Sequence, residues 1–218
     1  LTSDATSAVT NVNSSPTGSI TISGTTTEDN SLTAITSGLS DADGLSGSFT
    51  YQWQHSSDNS SWTDITGANS VSHTLSDSDV GKYMRAQVSY IDQQGTRETV
   101  FSAASTVVEN INDDPTGTVL INGNFTEGEV ISANTSAIVD NDGLPSVGAF
   151  TYQWQRSSDA TTWATIDGAV GRDYSLGSTD ASKYLRVQVS YTDLQGTPET
   201  LTSDATSAVT NVNSSPTG

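Results

Sequence analysis

Phe49-Thr50-Tyr51-Gln52-Trp53-Gln54 decides how this chain folds, because its three aromatic residues fall on alternate positions and therefore on one face of an extended strand. The stretch returns as Phe150-Thr151-Tyr152-Gln153-Trp154-Gln155, and its surroundings return with it. Before each copy stand short alternating runs, with Ile20, Ile22, Leu32 and Ala34 in the first and Val119, Ile121, Ile131 and Ala133 in the second. A turn follows them, Asp41-Ala42-Asp43-Gly44 or Asp140-Asn141-Asp142-Gly143. After each copy come Trp62 and Ile65 or Trp163 and Ile166, and then a long alternation: Met84, Ala86, Val88, Tyr90, or Leu185, Val187, Val189, Tyr191. A last strand is expected to turn Val100, Ala104 and Val108, or Leu201, Ala205 and Val209, toward the core. No segment has a helical period. The chain reads as all-β, with two antiparallel sandwiches in tandem.

The seams support that division. Pro16-Thr17-Gly18, Pro115-Thr116-Gly117 and Pro216-Thr217-Gly218 recur at a spacing of about 100 residues. The expected organisation is residues 1–14 as the last strand and linker of a preceding repeat, domains at 15–113 and 114–214, and residues 215–218 as the start of the next repeat. Residues 1–18 recur unchanged as residues 201–218, which points to a large tandem array. With 25 acidic residues against 7 basic ones the net charge is −18, so nucleic acid and anionic membrane surfaces are excluded as partners and cations are favoured. There is no cysteine, so any staple must be built from oxygen ligands. No apolar run is long enough for a membrane span.

The strings Tyr51-Gln52-Trp53-Gln54, Asp79-Val80-Gly81-Lys82-Tyr83, Val88-Ser89-Tyr90 with Asp92, and Asn112-Asp113-Asp114-Pro115-Thr116-Gly117 resemble the Ig-like repeats that form the extension regions of giant bacterial adhesins of the calcium-dependent RTX type. The resemblance implies two tandem Ig-like antiparallel β-sandwich domains arranged end to end. It also implies a non-enzymatic stalk on the bacterial cell surface that holds an adhesive tip outward, with neighbouring repeats and calcium ions as partners. One departure is visible: parity places Tyr83 and Tyr184 opposite the apolar face of their strand, so neither is a tyrosine corner.

The linker Glu109-Asn110-Ile111-Asn112-Asp113-Asp114-Pro115 is similar to cadherin linkers, which clamp calcium between domains. A hard cation needs six to eight oxygens, so several loops must contribute. In an end-to-end sandwich pair, the loops after the first and fifth strands of one domain would meet the linker and two loops of the next. The expected ligands are Glu28, Asp77, Asp79, Glu109, Asn112, Asp113, Asp114, Asp140, Asp142 and Asp193, with Asp29 beside Glu28. The competing reading is that these acids are ordinary turn formers that keep the array soluble. In the outer linkers Ser14 and Ser15, or Ser214 and Ser215, replace the two aspartates, so those joints are expected to bind weakly or not at all.

Nothing in the chain points to catalysis. His55 and His73 are the only imidazoles, and the second copy has Arg156 and Tyr174 in their places, so both read as tolerated structural residues. The alternative function is a glycan- or protein-binding module acting by avidity, with Trp62 and Trp163 as a stacking platform. The hairpin tips Asp58-Asn59-Ser60-Ser61 and Asp159-Ala160-Thr161-Thr162 differ, which disfavours one shared ligand site.

Overall fold

The computed structural model describes residues 2–45 and 47–212; the third seam, with residues 215–218, lies outside them. Two compact units, Leu1–Ile111 and Asn112–Gly218, make up the chain.

In the first unit the strands are β1 (Thr17–Gly18), β2 (Thr21–Ser23), β3 (Ser31–Ile35), β4 (Leu39–Ser40), β5 (Thr50–Ser56), β6 (Thr63–Asp64), β7 (Ser72–Thr74), β8 (Tyr83–Ile91) and β9 (Arg97–Phe101). A three-stranded sheet runs β2-β3-β7 and a four-stranded sheet runs β6-β5-β8-β9, with every pairing antiparallel. The short pair β1 and β4 closes one end. The second unit has β10 (Leu120–Asn122), β11 (Val130–Asn134), β12 (Thr151–Ser157), β13 (Ala164–Thr165), β14 (Asp173–Ser175), β15 (Tyr184–Thr192) and β16 (Pro198–Thr202). Its sheets repeat the order as β10-β11-β14 and β13-β12-β15-β16. The helical residues described are short 3-10 turns at Asp77–Asp79, Val147–Ala149 and Ser178–Asp180, and no helix is long and apolar enough to cross a membrane.

Each unit has one core fed by both of its larger sheets. Leu32 and Ala34 of β3 meet Trp53 of β5 and Met84, Ala86 and Val88 of β8, and the second unit assembles Ile131, Ala133, Trp154, Leu185, Val187 and Val189 in the same way. Trp53 and Trp154 are fully buried, and each indole N–H donates to a carbonyl, Ser70 O or Gly171 O, at 3.0 Å. That bond removes the cost of hiding the one polar atom of the ring. The seam glycines have a steric reason. Gly18 and Gly117 have φ of 84° and 87°, and a Cβ on either would fall 1.9 Å from the carbonyl oxygen of Gly38 or Ala137.

One expectation fails at the last strand. After β9 the chain keeps bonding to β8 but advances three residues for every two: Ser102, Ser105 and Val108 donate their N–H groups to Ala86, Met84 and Lys82. The hydroxyls of Ser102 and Ser105 accept from Ala86 N and Met84 N, at 2.9 Å each, supplying the acceptors that a regular ladder would take from backbone carbonyls. Ser203, Thr206 and Val209 do the same against β15. The inward positions are therefore Ser102 and Val108, or Ser203, Thr206 and Val209, whereas Ala104 is only partly buried and Ala205 is exposed. Residues 2–13, read as a strand from a preceding repeat, belong to no strand here and are exposed.

Candidate metal centre

The acidic pole of the second unit is built by two turns. In the turn after β11, Asp140 Oδ1 accepts from Asp142 N at 3.0 Å, and Gly143, at φ 94°, completes the reversal. Between β15 and β16, Asp193 Oδ1 accepts from both Gln195 N and Thr197 N at 2.8 Å. Leu194 N bonds to Gly143 O at 3.1 Å and pins one turn to the other. Tyr191 donates its hydroxyl to Asp140 Oδ2 at 2.6 Å, and its pKa is pushed up by burial and by that carboxylate. The result is a convergence of Asp140, Asp142 and Asp193, with a carboxylate oxygen from each within 4.8 Å of the others.

Two of the atoms there are anomalous. Asp142 is 4 % exposed and Asp193 5 %, yet Asp142 Oδ1 and Asp193 Oδ2 have no hydrogen-bond partner among the described residues. A buried carboxylate oxygen left alone costs several kcal/mol, on the order of 1–3 for lost hydrogen bonding and more for charge. A carboxylate that carries no proton is an acceptor only, so a cation is one group that could fit such a convergence. The donor set is all oxygen, which suits a hard divalent ion such as calcium and offers no nitrogen or sulfur to zinc.

The seam residues reach this pole by different means. Asp113 docks through its backbone, with its N–H donating to Asp142 Oδ2 at 2.7 Å, and its carboxylate lies within 4.8 Å of that of Asp142. Asn112 donates its side-chain amide to Glu199 Oε1 at 3.0 Å. Asp114 is exposed. In the first unit Glu28 is 2 % exposed, takes the Ile111 N–H on Oε2 at 3.3 Å, and brings an oxygen within 4.8 Å of the exposed Asp77. Glu109 is exposed, and its backbone pairs with Thr26 and Glu28.

Asp79, expected beside these ligands, bonds through one oxygen inside its own unit, and its other oxygen, Oδ1, is buried without a hydrogen-bond partner among the described residues, 3.8 Å from His55 Nδ1. Its Oδ2 caps the 3-10 turn through Ser76 N at 3.1 Å and meets His73 Nε2 at 3.0 Å. Burial pushes its pKa up, but the bonds from His73 and Ser76 outweigh that and hold it below 3.8. Asp180 repeats the arrangement with Tyr174, Gly177 and Arg156, whose guanidinium lies 3.2 Å away. The two histidines thus stand where the second unit places Tyr174 and Arg156, around one buried carboxylate.

The tryptophans proposed as a stacking platform carry cations instead. Arg85 lies 4.3 Å from the centre of the Trp62 ring and 4.4 Å from that of Phe101, and Arg186 lies 4.4 Å from that of Trp163. Sequence reasoning missed Glu199, 8 % exposed, and the matching residues of the first unit: Asn13, Asp41, Asp92 and Glu98. Aligning the two repeats would have found them, since each stands at its partner's position relative to the seam.

The model of the family Domain of unknown function (DUF8696) matches residues 5–110 and 121–214. No curated protein matches the chain. Among solved structures, the chain is similar to a Ca2+-stabilized adhesin that helps an Antarctic bacterium reach out and bind ice, at 16 % identity and a TM-score of 0.31, over 92 % of this chain and 50 % of that one. It is also similar to a tetra-tandem repeat in the extending region of a large adhesion protein, at 14 % identity and a TM-score of 0.28, over 88 % and 49 %. The chain thus spans about half the length of each, and likenesses this distant carry no functional argument.

Proposed function

The chain belongs to this family of domains of unknown function and carries its domain in two successive stretches; from that premise we propose that it is a pair of extender repeats from a large bacterial cell-surface adhesin, with calcium stiffening the joint. Each unit is an independently folding domain, near residues 15–113 and 114–214, and residues 1–14 are the exit of a preceding repeat. The stalk is extracellular and has no catalytic task. Its support is the near-100-residue period, the perfect copy of residues 1–18 at 201–218, the charge of −18 and the family resemblance of the strand and linker motifs.

The observation that carries the calcium reading is the pair of buried, unpartnered oxygens Asp142 Oδ1 and Asp193 Oδ2 amid converging carboxylates. Within the first unit Glu28 binds the backbone of Ile111, and within the second Asp142 binds that of Asp113. On this reading Glu28, Asp77, Asp113 and Asp142 would each offer a ligand to the ion, and their mutual repulsion without it would free the linker. Affinity on the order of 10⁻⁴ to 10⁻³ M is expected, as in other extracellular modules.

The second reading, a glycan-binding module, has less support, because an arginine stacks on the Trp62 ring and another on the Trp163 ring. The test is Asp142→Asn, which keeps an acceptor for Asp113 N and removes the charge. Millimolar calcium should raise the melting temperature of the native chain and raise that of the variant much less. An equal rise in both would reject the joint site.

A further inference from the structure

The first unit has an acidic pole of its own, at the end where the chain enters from Asn13 and Ser14. Carboxylate oxygens of Asp41, Asp92 and Glu98 lie within 4.8 Å of one another. Asp92 is 3 % exposed; its Oδ1 accepts from Gln94 N at 2.8 Å and Thr96 N at 2.7 Å, and its Oδ2 is buried with no partner among the described residues. Among the described residues none of the three acids takes part in an ion pair. Tyr90 and the Asp43 N–H bond to Asp41 and hold it in place.

From these atoms we infer that Asp41, Asp92 and Glu98 bind a divalent cation of the calcium type within the first unit, independently of any linker carboxylate. This runs against the expectation that a seam with serines binds poorly. Ser14 N donates to Asp43 Oδ2 at 2.6 Å just as Asp113 N does to Asp142 Oδ2, and Asn13 donates to Glu98 Oε1 as Asn112 does to Glu199. Docking of the seam uses backbone N–H and asparagine, which the serine-type seam retains. The carboxylates come from two turns and from strand β9, all belonging to the unit itself. Each of the three carboxylates offers one oxygen, and water would complete a calcium shell of six to eight.

The test is calorimetric titration of the full 218-residue chain with calcium chloride. Asp92→Asn keeps the Oδ1 acceptor for the turn, and the proposal predicts that it removes one calcium from the stoichiometry. Glu98→Gln should weaken that same site at least about tenfold, because affinity follows ligand charge. If Asp92→Asn fails to give a native circular-dichroism spectrum, Glu98→Gln decides alone. A folded Asp92→Asn or Glu98→Gln chain that binds as many ions as tightly as the native chain overturns the inference. The joint reading is separable: it falls if Asp142→Asn leaves binding unchanged, whereas this site falls if only Asp142→Asn reduces it.

Discussion

Tyr174 shows how a single residue sets a pH limit. Burial, with its hydroxyl bonded to Asp180 at 2.9 Å, pushes its pKa up to about 12. A group whose folded pKa is raised contributes stability that is complete below its unfolded value near 10 and is lost as pH rises through the folded value. The second unit should therefore lose stability between about pH 10 and 12, and Tyr174→Phe should flatten part of that loss in melting curves taken across the window. An unchanged alkaline profile would mean that the bond to Asp180 contributes nothing. His73 occupies this position in the first unit, and Asp79 there replaces Asp180. The sequence exchange is visible by aligning the repeats, but the buried carboxylate that both residues serve is not, because its place depends on how the 3-10 turn folds back under β7 and β14.

At the scale of elements, the period-two signal located β5, β8, β12 and β15 and the tryptophans they bury, since alternation is a property of the backbone itself. It misread residues 102–108 and 203–209. There a serine or threonine hydroxyl replaces a backbone acceptor, so the chain steps by three and the apolar alternation no longer reports which side faces in. Ser102→Ala tests this. It leaves Ala86 N buried without an acceptor and should lower the stability of the first unit by about 1–3 kcal/mol, read from urea unfolding. Ser203→Ala should do the same to the second unit through Val187 N. A loss below a few tenths would mean that the segment recovers a regular ladder.

At the scale of the whole molecule, the acids were legible as a class and less so as individuals. Asp140, Asp142 and Asp193 stand in turns whose type could be read from Asp-x-Asp-Gly and Asp-x-x-Gly, and the fold gathers them. Asp79 could not be separated from them in sequence, because only the fold reveals that His73 and Ser76 bond its Oδ2. Asp113 is legible as an acid, but the docking of its backbone N–H on Asp142 is visible only in the fold. The central claim, that calcium converts the joint from a hinge into a rigid connection, is tested most directly by small-angle scattering from the chain in millimolar calcium and in chelator. A larger radius of gyration and a narrower distribution of distances are expected with calcium. Superimposable curves in the two conditions would contradict it and leave the seam a polar linker.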